Sequence, residues 1–441
     1  MANTSIRKTF SGNGNRNTWT LSFWVKRGAL GSQERLFSCD DTSSNNDDFF
    51  VFDNEDNLVL GFYSSGYYAL KETNRVFRDV NSWYHIVITW DTTNSTAGDR
   101  LRLYVNGVRE TSFLASTNPS SSANSFVNTT EAWEIGKRSY NDTQFFSGSM
   151  SHVHFIDGTA YDASAFGETD ATTGEWKIKT SPSVTYGTNG FWILKDGNTI
   201  TDSSPNSNDW SSVSGTLTKT EDNPSNVFAN WNVLDNIYFA GNFSNGNTTL
   251  QSSSSNYAHC TTTLGMSSGK FYSEHKWTSG SNMRLGLVGK IATSNTDGLN
   301  GGTDEIYYDG NNGKFDTNGT STTSWGSTYA VNDIIGIAYD GDNNKIYFSK
   351  NGVWQNSANP SNGTNGMAIP ASSTTNQGFY FFSWSDNSSS SSSTIQANFG
   401  NGYFGTTAVA SAGTNASGNG IFEYDVPTGY TALCTKGLNG E

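Results

Sequence analysis

Residues 99–110 read DRLRLYVNGVRE. Leu101, Leu103 and Val105 fall on one face of an extended strand and Arg100, Arg102 and Tyr104 on the other, which is the pattern of a half-buried antiparallel strand. Asn106-Gly107 then closes it, because a tight hairpin needs positive φ at both turn residues, which Asn tolerates and Gly adopts freely. The same device returns in NNKIYFSKNGVWQN, where Ile346 and Phe348 face one way, Tyr347 and Ser349 the other, and Asn351-Gly352 makes the turn. Two such hairpins so far apart predict two separate β-sandwiches.

The alternation continues elsewhere. Leu21, Phe23 and Val25 alternate with Thr20, Ser22 and Trp24; FFVFDNEDNLVLGFY reads as two strands around a polar turn; SWYHIVITWD is another strong strand. No segment of comparable length carries a 3.6-residue period, so the predicted class is all-β.

Composition agrees with this reading once the aromatics are counted. Apolar residues are only 34% of 441, but 13 Trp, 20 Tyr and 27 Phe supply large buried areas, and 46 Gly against 7 Pro fit many strands joined by turns. A length of 441 suits two large sandwiches. The net charge of −14 argues against nucleic acid as a partner, since phosphate binding is driven chiefly by Lys and Arg. No run approaches the ~20 apolar residues of a membrane span, and the residues after Met1 lack the apolar core of a secretory signal, so neither membrane insertion nor signal-directed export is expected. Cys39, Cys260 and Cys434 are odd in number and far apart, and read as buried thiols.

Five strings in order, WTLSFWVKR, SWYHIVITWD, LRLYVNG, WEIGKR and FSGSMSHVHFIDGTAYD, resemble the laminin-G-like or concanavalin-A-like jelly roll over roughly residues 10–165. SSGKFYSEHKW, RLGLVG, NDIIGIAYDGDNNKIYFSKNGVW, GFYFFSWSD, IQANFG and FEYDVPTGYTALC resemble a SPRY domain over roughly residues 245–435. A serine run in DNSSSSSSTIQ departs from that family and reads as a lengthened surface loop. The resemblances imply two antiparallel jelly-roll sandwiches: a first domain over 1–165, an irregular connector over 166–240 and a second domain over 241–441. Trp176, Phe191, Trp192 and Trp210 are costly to leave in water, so the connector is expected to pack on one or both sandwiches. Its order resembles a region found after laminin-G-like domains in tailed-phage virion proteins.

Candidate chemistry is sparse. Asp53 and Glu55 have the i, i+2 spacing of a glycosidase carboxylate pair, with Asp56 following, but they sit at a hairpin tip, where an acidic turn is the ordinary reading. His152 and His154 share a spacing that a metal can use, without an evident third ligand. His85, His259 and His275 lie in unrelated strands. No phosphate loop occurs. The loop CDDTSSNNDDFF brings Asp40, Asp41, Asp47 and Asp48, oxygen ligands of the kind calcium takes, and the resemblance implies calcium at such a loop edge as the alternative to a solvated loop. Tyr67 and Tyr68 are candidates for stacking on a sugar ring, although consecutive strand residues point opposite ways and one of them belongs to the core.

The expectation is a non-enzymatic, cofactor-free virion protein of fibre, knob or decoration type. It would be made in a host cytoplasm and would oligomerise, meeting other virion proteins or host-surface glycans through sandwich-edge loops. A secreted lectin-like adhesin, and a glycan hydrolase or lyase, are the rival expectations.

Overall fold

The structure is a computed structural model that describes residues 3–41, 45–195, 197–235, 241–253, 258–291, 299–323, 325–388 and 391–440. The chain forms two units, Met1–Lys219 and Thr220–Glu441. Both are built from antiparallel β-sheets, and the one α-helix among the described residues is Thr435–Leu438.

The first unit faces an eight-stranded sheet with a six-stranded one. The larger runs, in spatial order, Phe113–Thr117, Tyr67–Val76, Asn57–Ser64, Asn46–Phe52, Glu34–Asp40, Ala132–Ile135, Ser5–Lys8, Ser211–Ser214; the smaller runs Phe191–Ile193, Gly148–Asp157, Thr18–Arg27, Tyr84–Asp91, Leu101–Val105, Val108–Arg109. Between them lies one core, in which Leu21, Phe23, Ile86, Ile88 and Leu103 meet Phe37, Phe50, Leu58, Leu60 and Phe62. Trp19 and Trp90 stack at 6.0 Å between ring centroids within it.

The Thr18–Arg27 strand is buried on both faces, not on one as its alternation predicts. The reason is the segment after residue 158, which covers the outer face of the smaller sheet: Val87, Tyr104 and Ile156 of the sheet pack against Ala163, Phe166, Trp176 and Tyr186. The polar residues of that face are used as docking points. Thr20 Oγ1 donates to the Thr159 carbonyl at 2.9 Å and accepts the Tyr161 N–H at 2.8 Å, while Thr89 Oγ1 donates to the Tyr161 carbonyl at 2.6 Å. Hydroxyls placed on a strand thus satisfy loop backbone that burial would otherwise leave unpaired. Residues 166–219, read from sequence as connector, lie within this unit. Phe191–Ile193 extends the smaller sheet, Ser211–Ser214 extends the larger, and Trp210 joins the main core.

The second unit repeats the plan. One sheet runs Asn242–Ser244, Thr249–Gln251, Thr394–Asn398, Lys270–Ser279, Ile334–Asp340, Lys345–Lys350, Val353–Trp354; the facing one runs Ala258–Thr261, Phe381–Asp386, Met283–Val288, Glu305–Asp309, Phe315–Thr317, Thr320–Thr322. Trp277, Ile335, Ile337, Ile346 and Phe348 meet Leu285, Leu287, Ile306, Phe382 and Trp384 in its core. The outer face of the first sheet is covered by Phe228 and by Phe422, Val426 and Tyr430 near the end of the chain. Ser389 and Ser390 of the serine run lie outside the described residues.

Both Asn-Gly hairpins form as the sequence predicts. Asn106 and Gly107 have φ 47° and 80°, Asn351 and Gly352 have 50° and 79°, and two-residue turns join Val105 to Val108 and Lys350 to Val353. Each glycine also lies beneath an aromatic ring: a Cβ on Gly107 would stand 2.4 Å from Trp176, and one on Gly352 2.6 Å from Tyr424. The three cysteines are buried and free.

Candidate recognition face

Register along the larger sheet of the first unit separates the candidate residues. Asp40 pairs with Asp47 and Cys39 with Asp48, so the two pairs project to opposite sides of the sheet. Asp48 points into the sandwich. It accepts the Tyr68 hydroxyl at 2.6 Å and the N–H groups of Phe126 and Val127 at 2.6 and 3.1 Å. Burial without a neighbouring cation pushes it up to about 7. Tyr68 is therefore an interior strut, and its own hydroxyl is raised by the same burial beside Asp48.

Asp47 projects outward and receives the Arg35 guanidinium on both oxygens, at 3.1 and 2.9 Å. Burial raises its carboxyl, against the pull of Arg35. Asp40 accepts the Ser139 hydroxyl, and Asp41 accepts the Asn46 amide at 2.5 Å. Residues 42–44 of this loop lie outside the described residues. The four aspartates are thus committed to four different partners on two sides of a sheet, and they do not converge. No group of three or more His, Cys, Asp or Glu among the described residues could hold a metal ion.

The outward face next to Asp47 is aromatic. Tyr63 pairs with Tyr67, and the two rings meet edge to face at 5.3 Å; Phe49 meets Tyr67 the same way at 6.4 Å. Phe49 lies flat over Gly61, its cross-strand partner, where a Cβ would stand 2.2 Å from the ring. The Arg35 guanidinium covers Phe49 at 4.0 Å, and its Nε donates to Gln144 Oε1 at 2.9 Å. Tyr67 remains 49% exposed. The result is an exposed Tyr67 beside a half-buried Tyr63, both next to a buried Phe49 that the buried Arg35–Asp47 ion pair caps. Such a surface offers flat apolar area beside hydrogen-bonding groups.

Tyr67 was legible in the sequence; Phe49, Tyr63 and Arg35 were not. The available signal was Gly61, a glycine inside a strongly apolar strand, which marks a close approach by a neighbour.

The other candidates lie apart from this face. Asp53 Oδ1 accepts the N–H groups of Glu55 and Asn57 and so builds its own turn, while Glu55 is exposed. Asp56 is buried, accepting Arg27 Nη1 at 3.0 Å, Arg78 Nε at 2.9 Å and the Gly31 N–H at 2.8 Å. His152 sits at a bulge with φ 47°; His154 is buried, with Nδ1 2.9 Å from the Tyr186 hydroxyl, and desolvation holds it well below the usual imidazole range. His85 and His275 are buried and depressed to about 3 by desolvation, and His259 is buried. No helix among the described residues is long and apolar enough to cross a membrane.

Residues 4–163 match the family described as the concanavalin A-like lectin/glucanases superfamily, and residues 270–394 match the SPRY domain. No curated protein matches the chain. Among solved structures, the SPRY domain of human HERC1 is 15% identical with a TM-score of 0.31, over 38% of this chain and 96% of that one. A heptameric SAP-like pentraxin from Limulus polyphemus is 15% identical with a TM-score of 0.27, over 36% of this chain and 71% of that one. A human SPRY domain is 17% identical with a TM-score of 0.25, over 34% and 90%. With the two matched segments each falling inside its own β-sandwich unit, the chain carries a concanavalin-A-like domain followed by a SPRY domain.

Proposed function

We propose that the protein is a non-enzymatic adhesion component of a tailed-phage particle, and that it binds host-surface glycans on the surface formed by Tyr63 and Tyr67. Its other partners are further virion proteins and copies of itself. The observation that carries the glycan reading is the pairing of an exposed Tyr67 with an edge-on Tyr63 beside the Arg35–Asp47 ion pair. A pyranose ring presents an apolar face and a rim of hydroxyls, and the exposed Tyr67 offers a matching flat ring with a hydroxyl at its edge. Lectin-like and SPRY domains both suit binding or adhesion. The particle reading is supported by the order of the two domains and of the segment between them. Oligomerisation would multiply weak single-site contacts into firm attachment.

Two measurements test this. Mass spectrometry of purified particles should find the chain, and its absence from them would remove the virion reading. A glycan array with the intact protein should give binding that Tyr67→Ala weakens about tenfold, equivalent to ~1.4 kcal/mol. No binding on the array, or binding indifferent to Tyr67, would overturn the glycan reading and leave protein partners as the adhesive target.

A further inference from the structure

Glu72 stands on the outer face of the larger sheet of the first unit. Gly61, which lies beneath Phe49, pairs with Leu70, and Val59 pairs with Glu72. Alternation along Tyr67–Val76 turns Ala69 and Lys71 inward and sends Leu70 and Glu72 out. Glu72 therefore shares the face that presents Tyr63 and Tyr67, one outward position beyond the strand residue opposite Gly61. It is half-buried, and among the described residues its carboxylate has no hydrogen bond and no ion pair.

The cations nearest to it in the chain are engaged elsewhere. Arg75 pairs with Glu110 at 2.9 Å and Arg109 with Asp99 at 2.6 Å, while Lys71 donates to Ser116 at 2.6 Å and Asn118 at 2.9 Å on the other side of the strand. The adjoining edge strand Phe113–Thr117 carries no charge. On the opposite side of Tyr67, Arg35 and Asp47 cancel one another and are only 4% and 5% exposed; further along the sheet, Glu134 is held by Arg7 and Lys137. Arg138, unpaired among the described residues, lies against Tyr140 at 5.5 Å, beside Arg35 and Asp47. Burial raises the Tyr67 phenol, and Asp47 and Glu72 add to that rise against the pull of Arg35. Geometry and charge thus agree that the uncompensated charge next to Tyr67 is negative.

We infer that Glu72 determines the ligand class of this surface: it accepts glycans without anionic groups and rejects those that carry carboxylate, sulfate or phosphate. The inference rests on the glycan reading above. A neutral sugar laid on Tyr67 brings hydroxyls that a free carboxylate can accept, whereas an acidic sugar brings a like charge with no cation within the patch to receive it. Specificity then comes from the repulsive element, with the ring supplying affinity to both classes. Because Glu72 is partly in solvent, the discrimination is screened by salt.

The test uses the full-length chain on an array of matched glycans, each a neutral oligosaccharide beside the same oligosaccharide bearing a single sulfate or carboxylate. The expected result is that acidic members bind about threefold or more weakly than their neutral counterparts at low salt, with the gap shrinking at high salt. Glu72→Gln should close most of the gap while leaving neutral binding within about twofold, and Glu72→Lys should reverse the preference. Equal binding of both classes, a gap untouched in Glu72→Gln, or a preference for acidic members that Arg138→Gln abolishes would overturn the inference while leaving the glycan reading intact. Absence of binding to every member would refute the glycan reading and this inference with it.

Discussion

Asn106 grips His85 through two hydrogen bonds: its N–H donates to the His85 carbonyl at 2.9 Å, and its Oδ1 accepts the His85 N–H at 2.8 Å. Asn351 and Ile334 do the same in the second unit, both bonds at 2.8 Å. Asparagine therefore has two tasks in each hairpin, supplying positive φ and completing the ladder to the preceding strand. Gly keeps the first task and Ala keeps neither. Asn106→Gly should cost about 1 kcal/mol for the lost bond, and Asn106→Ala about 2–3 kcal/mol. Urea unfolding of the two variants checks this, and equal losses would refute the role of the turn conformation.

The ring of His85 has a fixed tautomer. Trp176 Nε1 can only donate, and it donates to Nδ1 at 2.9 Å; Nε2 therefore carries the proton and gives it to Ser22 Oγ, also at 2.9 Å. Burial lowers the folded value to about 3, so the unfolded chain, near 6.5, binds the extra proton first. Stability from this group is complete above pH 6.5 and falls as pH drops below it, by about 1.4 kcal/mol per unit. Glu34, Asp48 and Glu274, each raised to about 7, act oppositely in the same window. The difference between the native chain and His85→Gln, followed by denaturant titration from pH 7 to 4, isolates the histidine and should narrow as pH falls.

Gly61 makes room for Phe49. Its substitution by Ala should cost about 1–3 kcal/mol, because the added methyl meets the ring and not because of backbone strain. Phe49→Ala with Gly61→Ala should then cost less than the sum of the two single changes. Strict additivity in thermal melts would mean that the ring yields freely.

Tyr67 and Tyr68 are adjacent but should behave as opposites. Tyr68→Phe removes one of three donors from buried Asp48 and should destabilise by about 1–2 kcal/mol. Tyr67→Ala should leave the melting temperature nearly unchanged while weakening glycan binding. A glycan titration beside a thermal melt of each variant separates the two roles.

Residues 166–219 complete both sheets and one outer face of the first unit. A fragment of residues 1–219 should melt cooperatively, and one of residues 1–165 should not, having lost two edge strands and the cover over Tyr104 and Val87. Calorimetry of the two fragments decides the matter.

Strand alternation and the two Asn-Gly pairs were enough to determine the class, the number of sandwiches and the hairpins, because period-two patterning and positive-φ turns are local properties of the chain. The opposed directions of Tyr67 and Tyr68 follow from the same period. Tertiary structure alone decided that Asp40, Asp41, Asp47 and Asp48 have separate partners, since Ser139, Tyr68 and the Phe126 and Val127 N–H groups reach Asp40 and Asp48 from distant parts of the chain. It also decided that Thr20, Ser22 and Thr89 are buried, because a segment some 140 residues further along the chain from Thr20 returns to cover them. The aromatic cluster is likewise nonlocal: Arg35, Phe49, Gly61, Tyr63 and Tyr67 come from four strands, and only side-by-side pairing brings them together.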